Sequence, residues 1–181
     1  MLRRSPEKAS LGFGYNLLVA VIMALVAGAI AITINILVLD AFDAAGIVTA
    51  RGGLQKLVRL WLSAPLVRFG ASDTWNLLGL PGPDTLVFKT GFKIAVGLLM
   101  ALAYTLLLEP VLGGGWLSKG LVAAVLFWLV NALAVLPLLG EGIAGIRTLT
   151  PLGLLCYGIA HTTFFVVLAG LYDVLIRQRR R

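Results

Sequence analysis

Few residues of this chain could do chemistry. His161 is the only histidine and Cys156 the only cysteine. A lone membrane histidine can ligate a haem from one side, relay a proton, or hydrogen-bond across helices. Bis-histidine haem ligation needs a second histidine, and one histidine with one cysteine cannot complete a zinc tetrad. An interhelical bond to Asn131, Thr162 or a carbonyl, worth ~0.6–2 kcal/mol, is the preferred role for His161. Asn131 is its natural partner. If residues 121–172 form an antiparallel helical hairpin, Asn131 precedes the turn by about as many residues as His161 follows Pro151. At 1.5 Å rise per residue both lie about 13–15 Å from that end. The polar bundle centre is therefore Asn131 and His161. Glu109 and Glu141 end successive apolar runs and so fall on opposite faces, too far apart for paired acid–base work. Glu141, six residues before Arg147, is expected to form an ion pair that orders the turn. No serine sits in a GxSxG elbow. No catalytic and no metal-binding residue is assigned.

The elements that must hold these groups are membrane helices. The chain has 181 residues, 60% apolar and 13% charged, and the charged share is about half that of a soluble domain. Residues 9–39, 94–108, 121–140 and 148–172 contain no Asp, Glu, Lys or Arg. Three of these runs exceed the ~18 residues that argue a membrane span, and the second, 94–108, is short because Lys89 and Lys93 interrupt its start. The reading is all-α: an integral membrane four-helix bundle. Spans fall at about 15–39, 85–108, 119–139 and 151–174 within a single membrane domain, 15–176. A basic lead, 1–14, precedes it and a basic tail, 177–181, follows. The first apolar run is too long for a cleaved signal peptide. Thr85 (or Asp84), Ser118 and Thr150 with Pro151 are expected to cap spans two to four, and Pro137 to kink span three.

Small residues mark packing faces. Ala20, Ala24 and Gly28 recur every four residues in span one, and Gly97 and Ala101 do so in span two, so that helices can approach closely. Thr33 and Asn35 are placed near the far end of span one. In the first connection Leu54, Leu57, Val58, Trp61 and Leu62 share one helical face. This predicts an amphipathic interfacial helix over 54–64, with Lys56 on the polar side. Residues 72–83 read as turn-rich. Lys89, Lys93, Arg177, Arg179, Arg180 and Arg181 are placed at lipid headgroups, where the balance of 15 Lys+Arg to 8 Asp+Glu suits an anionic membrane surface better than nucleic acid. The basic residues divide almost evenly between the two faces. The dense clusters at both termini favour cytoplasmic termini.

The segments Trp128–Asn131, Pro137–Gly142, Leu149–Pro151 and Ala160–Thr162 resemble small uncharacterised four-span proteins of the bacterial inner membrane. The resemblance covers about the C-terminal third and implies that architecture and location, with no site residues. The expected function is a non-catalytic accessory or scaffolding subunit of a larger membrane complex. The alternatives are a small-solute or lipid-handling transporter with a cavity at Asn131 and His161, and a haem-binding electron carrier. Expected partners are anionic lipid headgroups and either other membrane subunits or a second copy. Bound lipid is expected and no cofactor is predicted.

Overall fold

Long runs without charge leave the backbone little choice in an apolar medium, because only a helix satisfies every N–H and C=O within the segment. The computed structural model describes residues 6–49, 54–56, 67–82 and 85–179, all helical or irregular with no strand. The elements are α1 (Pro6–Ala44), α2 (Ala71–Leu77), α3 (Leu86–Ala103), α4 (Trp116–Val130) and α5 (Pro151–Arg179). Two π turns, Tyr104–Leu108 and Asn131–Val135, extend α3 and α4, and Leu136–Leu138 closes the latter. Among the described residues four helices are long and apolar enough to cross a membrane: Leu17–Ala44, Leu86–Leu108, Trp116–Leu138 and Pro151–Arg179.

The ends of these helices follow local chemistry. Thr85 caps α3 by accepting from the Phe88 amide at 3.2 Å, and Thr150 does the same for the Gly153 amide at 3.1 Å ahead of Pro151. The third span departs from expectation: it starts at Trp116 with Gly115 as its cap, and Ser118 donates back to the Gly115 carbonyl at 2.8 Å. The turn-rich reading of 72–83 is also corrected, since Ala71–Leu77 is a short helix. Its Trp75 donates to the Pro81 carbonyl at 3.0 Å and meets the Phe88 ring edge-on at 5.7 Å. Those local bonds outweigh the turn-forming residues.

Each π turn ends two residues before a proline. Glu109 N–H, preceding Pro110, bonds the Tyr104 carbonyl five residues back. Leu136 N–H, preceding Pro137, bonds the Asn131 carbonyl in the same way. A proline ring clashes with the carbonyl four residues behind it, and a turn widened by one residue is one way for the chain to accommodate it. Ahead of Pro137, where a kink was expected, α4 carries a π turn.

α1 and α5 are the inner pair; α3 flanks α1 and α4 flanks α5. Apolar solvent offers little drive for helix association, so packing and small residues must supply it. α1 and α3 cross where a Cβ on Gly28 would lie 2.6 Å from the Ala101 methyl and one on Gly97 would lie 2.5 Å from Ile32. Ala24 and Ala101 are fully buried, while Ala20 is half-buried. The two small stripes thus face one another. α4 and α5 cross at Gly120, whose added Cβ would meet the Phe165 carbonyl at 2.9 Å. Phe165 is fully buried at the centre, with Phe127 stacked at 4.7 Å and Phe164 edge-on at 4.9 Å.

Candidate functional site

Polar groups gather at three levels of the bundle. At the middle level, Asn131 opens the second π turn and donates to the Tyr157 hydroxyl at 2.7 Å. Tyr157 lies one turn before His161, with ring centroids 5.6 Å apart, and His161 lies one turn before Phe165 at 5.7 Å. The asparagine partner is therefore Tyr157 and not His161, whose Nε2 is buried with no hydrogen-bond partner. Tyrosine intervenes because its longer side chain, from the turn nearer the hairpin end, reaches α4 first. Asn35 joins this level from α1 and donates to the Ala160 carbonyl at 2.8 Å. It was expected near water at the end of span one, but α1 continues past Asp40 and Asp43 to Ala44, which sets Asn35 deeper. Thr33 returns its hydroxyl to the Ala29 carbonyl at 2.8 Å.

At the end opposite the termini, Glu141 is buried and pairs with Lys56 at 3.1 Å. Its other oxygen accepts from the Thr148 hydroxyl at 3.3 Å. The expected Glu141–Arg147 ion pair is thus replaced. The Arg147 side chain reaches only the Gly140 carbonyl, at 3.5 Å, while its backbone N–H bonds the Glu141 carbonyl at 3.1 Å. Left-handed Gly140, Gly142, Ala144 and Gly145 coil the turn so that the Arg147 backbone, not its guanidinium, faces Glu141. Lys56 was legible only as part of a polar helical face; Leu54 and Lys56 are exposed there. Leu57, Val58, Trp61 and Leu62 lie outside the described residues, as do Arg180 and Arg181. The first connection also covers the start of α5, because the Val48 carbonyl occupies the space a Cβ on Gly153 would need.

At the end nearer the termini a polar pocket of about 370 Å³ opens between the ends of α3, α4 and α5. Lys119 donates to a Glu109 carboxylate oxygen at 2.9 Å and to the Glu109 carbonyl at 3.0 Å. Arg177 pairs with Asp173 one turn back at 2.9 Å. Tyr104 and Tyr172, 1% and 4% exposed, also line this pocket. Arg177, expected at headgroups, lines the pocket. Lys89, Lys93 and Arg179 are exposed. Sequence reasoning missed the pocket because its residues are far apart in the chain, and only the i, i+4 spacing of Asp173 and Arg177 hinted at it.

An apolar groove of about 780 Å³ runs along the outer side of α4 and α5. Trp128, Leu155, Gly158, Ile159, Thr162 and Thr163 line it. Among the described residues no group of three or more His, Cys, Asp or Glu could hold a metal ion. The chain matches no protein-family model, no curated protein and no solved structure. Site geometry alone therefore carries the functional argument.

Proposed function

We propose that this four-helix membrane protein is an accessory subunit that seats a partner's transmembrane helix in the α4/α5 groove. The observation that carries the reading is the composition of that groove. Gly158 and Thr162 stand one turn apart on α5, a small-xxx-small pair of the kind that lets helix backbones approach in lipid. A Cβ added at Gly158 would lie 3.9 Å from the Trp128 indole nitrogen, so the indole edge closes one side of a trough deep enough for a helix ridge. The Thr163 hydroxyl is satisfied by the Ile159 carbonyl at 2.9 Å, which leaves an apolar surface toward the occupant. Packing of the polar middle level also fits a scaffold, since Asn35 and Asn131 tie helices together.

Photo-crosslinking in native membranes tests this. A crosslinking residue at Leu155 or Ile159 is expected to capture one protein partner, and the same residue at Leu99 on the α3 face to capture none. Gly158→Trp, which fills the trough, is expected to abolish the crosslink. Capture of lipid alone from both faces refutes the proposal. Capture of a second copy of the chain makes the assembly a homodimer rather than a complex with another subunit. The same reading sets the bundle in a bacterial inner membrane with cytoplasmic termini. In intact cells, an impermeant thiol reagent is expected to label Ser72→Cys and not Ser5→Cys; the reverse pattern overturns the orientation.

A further inference from the structure

The polar pocket at the terminal end is not used by the scaffold reading. Its wall has a property that points to a ligand. Tyr104 is 1% exposed and Tyr172 4% exposed, yet both line the pocket. Buried tyrosines ordinarily find a partner for the hydroxyl. Neither hydroxyl bonds another described residue, and neither is among the buried polar atoms left without a partner, so both reach the open volume of the pocket. Two ring bodies are thus locked in the core with their polar ends turned to one small volume.

The charges around that volume are balanced. Lys119 and Arg177 supply two cations; Glu109 and Asp173 supply two carboxylates, each held by one cation at 2.9 Å. A purely anionic ligand would meet both carboxylates and a purely cationic one both cations. A ligand with one charge of each sign matches the wall. The anionic end has a further seat. Gly115 and Trp116 open α4 and line the pocket, and the α4 N-terminus has no side-chain cap, so its free N–H groups and the helix dipole favour a phosphate. The pocket lies at the last turns of α3 and α5, the level of headgroups in a membrane bundle. The Trp116 ring packs against Gly170, within 3.3 Å of where a Cβ would stand, an interfacial position favoured by tryptophan. A volume of about 370 Å³ is at the small end of ligand sites.

We propose that this pocket binds the phosphoethanolamine headgroup of a membrane lipid. Its phosphate sits at the α4 N-terminus beside Lys119 and Arg177. Its ammonium lies between Glu109 and Asp173, and the Tyr104 and Tyr172 hydroxyls donate to the phosphate oxygens. The acyl chains remain in the surrounding leaflet.

Native mass spectrometry of the full chain, released from gentle detergent after titration with equimolar phosphatidylethanolamine, phosphatidylcholine and phosphatidylglycerol, tests it. The expected result is a single saturable adduct with the ethanolamine lipid, at least about tenfold preferred over the other two. Tyr104→Phe and Arg177→Gln are each expected to cut that preference several-fold with thermal stability unchanged. Glu141→Gln, at the other end of the bundle, leaves it intact. Equal adducts with all three lipids, a preference for the glycerol lipid, or a preference untouched by both pocket variants overturns the proposal. Glycerophosphoethanolamine separates the sources. Failure to displace the lipid at millimolar concentration supports a membrane origin. Tight binding of this soluble ester overturns that origin.

Discussion

The two hairpins of the bundle reach close contact in different ways. In the α1/α3 hairpin the limit is a side chain: Gly28 makes room for the Ala101 methyl. In the α4/α5 hairpin the limit is backbone: Gly120 lies beneath the Phe165 carbonyl and the Val166 Cα. The second hairpin also carries the Asn131–Tyr157 hydrogen bond and the stacked Phe127–Phe165 pair. A contact set by a methyl can be re-cut by exchanging residues, and a contact set by backbone cannot. The hairpin holding the polar residues is therefore the less adaptable one, and its polar groups are held in a fixed register.

The largest effect should come from Gly120→Ala. The new methyl would lie 2.9 Å from a backbone oxygen, and relief requires the helices to part, at about 1–3 kcal/mol or more. Reversible unfolding in detergent measures this, and a neutral result would show that α4 and α5 are not in backbone contact. Gly28→Ala should cost a similar or slightly smaller amount, and the reciprocal exchange separates the two hairpins. Adding Ala101→Gly should return stability to within about 1 kcal/mol of the original, because volume and helix propensity are merely swapped between the helices. A double variant no better than the single one would erase the contrast. Next in size is Asn131→Leu, which strands the Tyr157 hydroxyl and should cost ~0.6–2 kcal/mol. In a Tyr157→Phe background the same change should cost less, and strict additivity would mean that the bond does not hold the hairpin. The smallest effect is expected at Thr105 in the α3 π turn. Its hydroxyl is buried without a partner, so Thr105→Val should be neutral or stabilising by up to about 1 kcal/mol. A marked loss would reveal a partner for that hydroxyl.

Much of this was legible without coordinates. Four spans could be read because charge is excluded from long runs, and the cost of an unsatisfied backbone in lipid allows only helices there. Thr85 and Thr150 could be read as caps because capping is settled within four residues. The small stripes of Gly28 and Gly97 were visible as periodicity. What sequence could not supply was rotation about each helix and the pairing of the inner helices. His161 and Asn131 were expected to meet at one level, yet Tyr157 takes the hydrogen bond, since side-chain reach across a helix interface depends on rotation angles that periodicity leaves free. Lys56 pairs with Glu141 from 85 residues away, while Arg147, six residues from Glu141, is turned aside by the left-handed glycines of the turn. The π turns show the same division. Pro137 announced that the helix must change, but the sequence did not show that the change would be a π turn. The sequence alone determined which long apolar segments are helical, because that is a local contest between backbone and solvent, while the short helix Ala71–Leu77 escaped it. Tertiary structure alone brought Glu109, Lys119, Tyr104, Tyr172, Asp173 and Arg177 around one pocket, because that requires three helix ends at one place and no spacing along the chain encodes it.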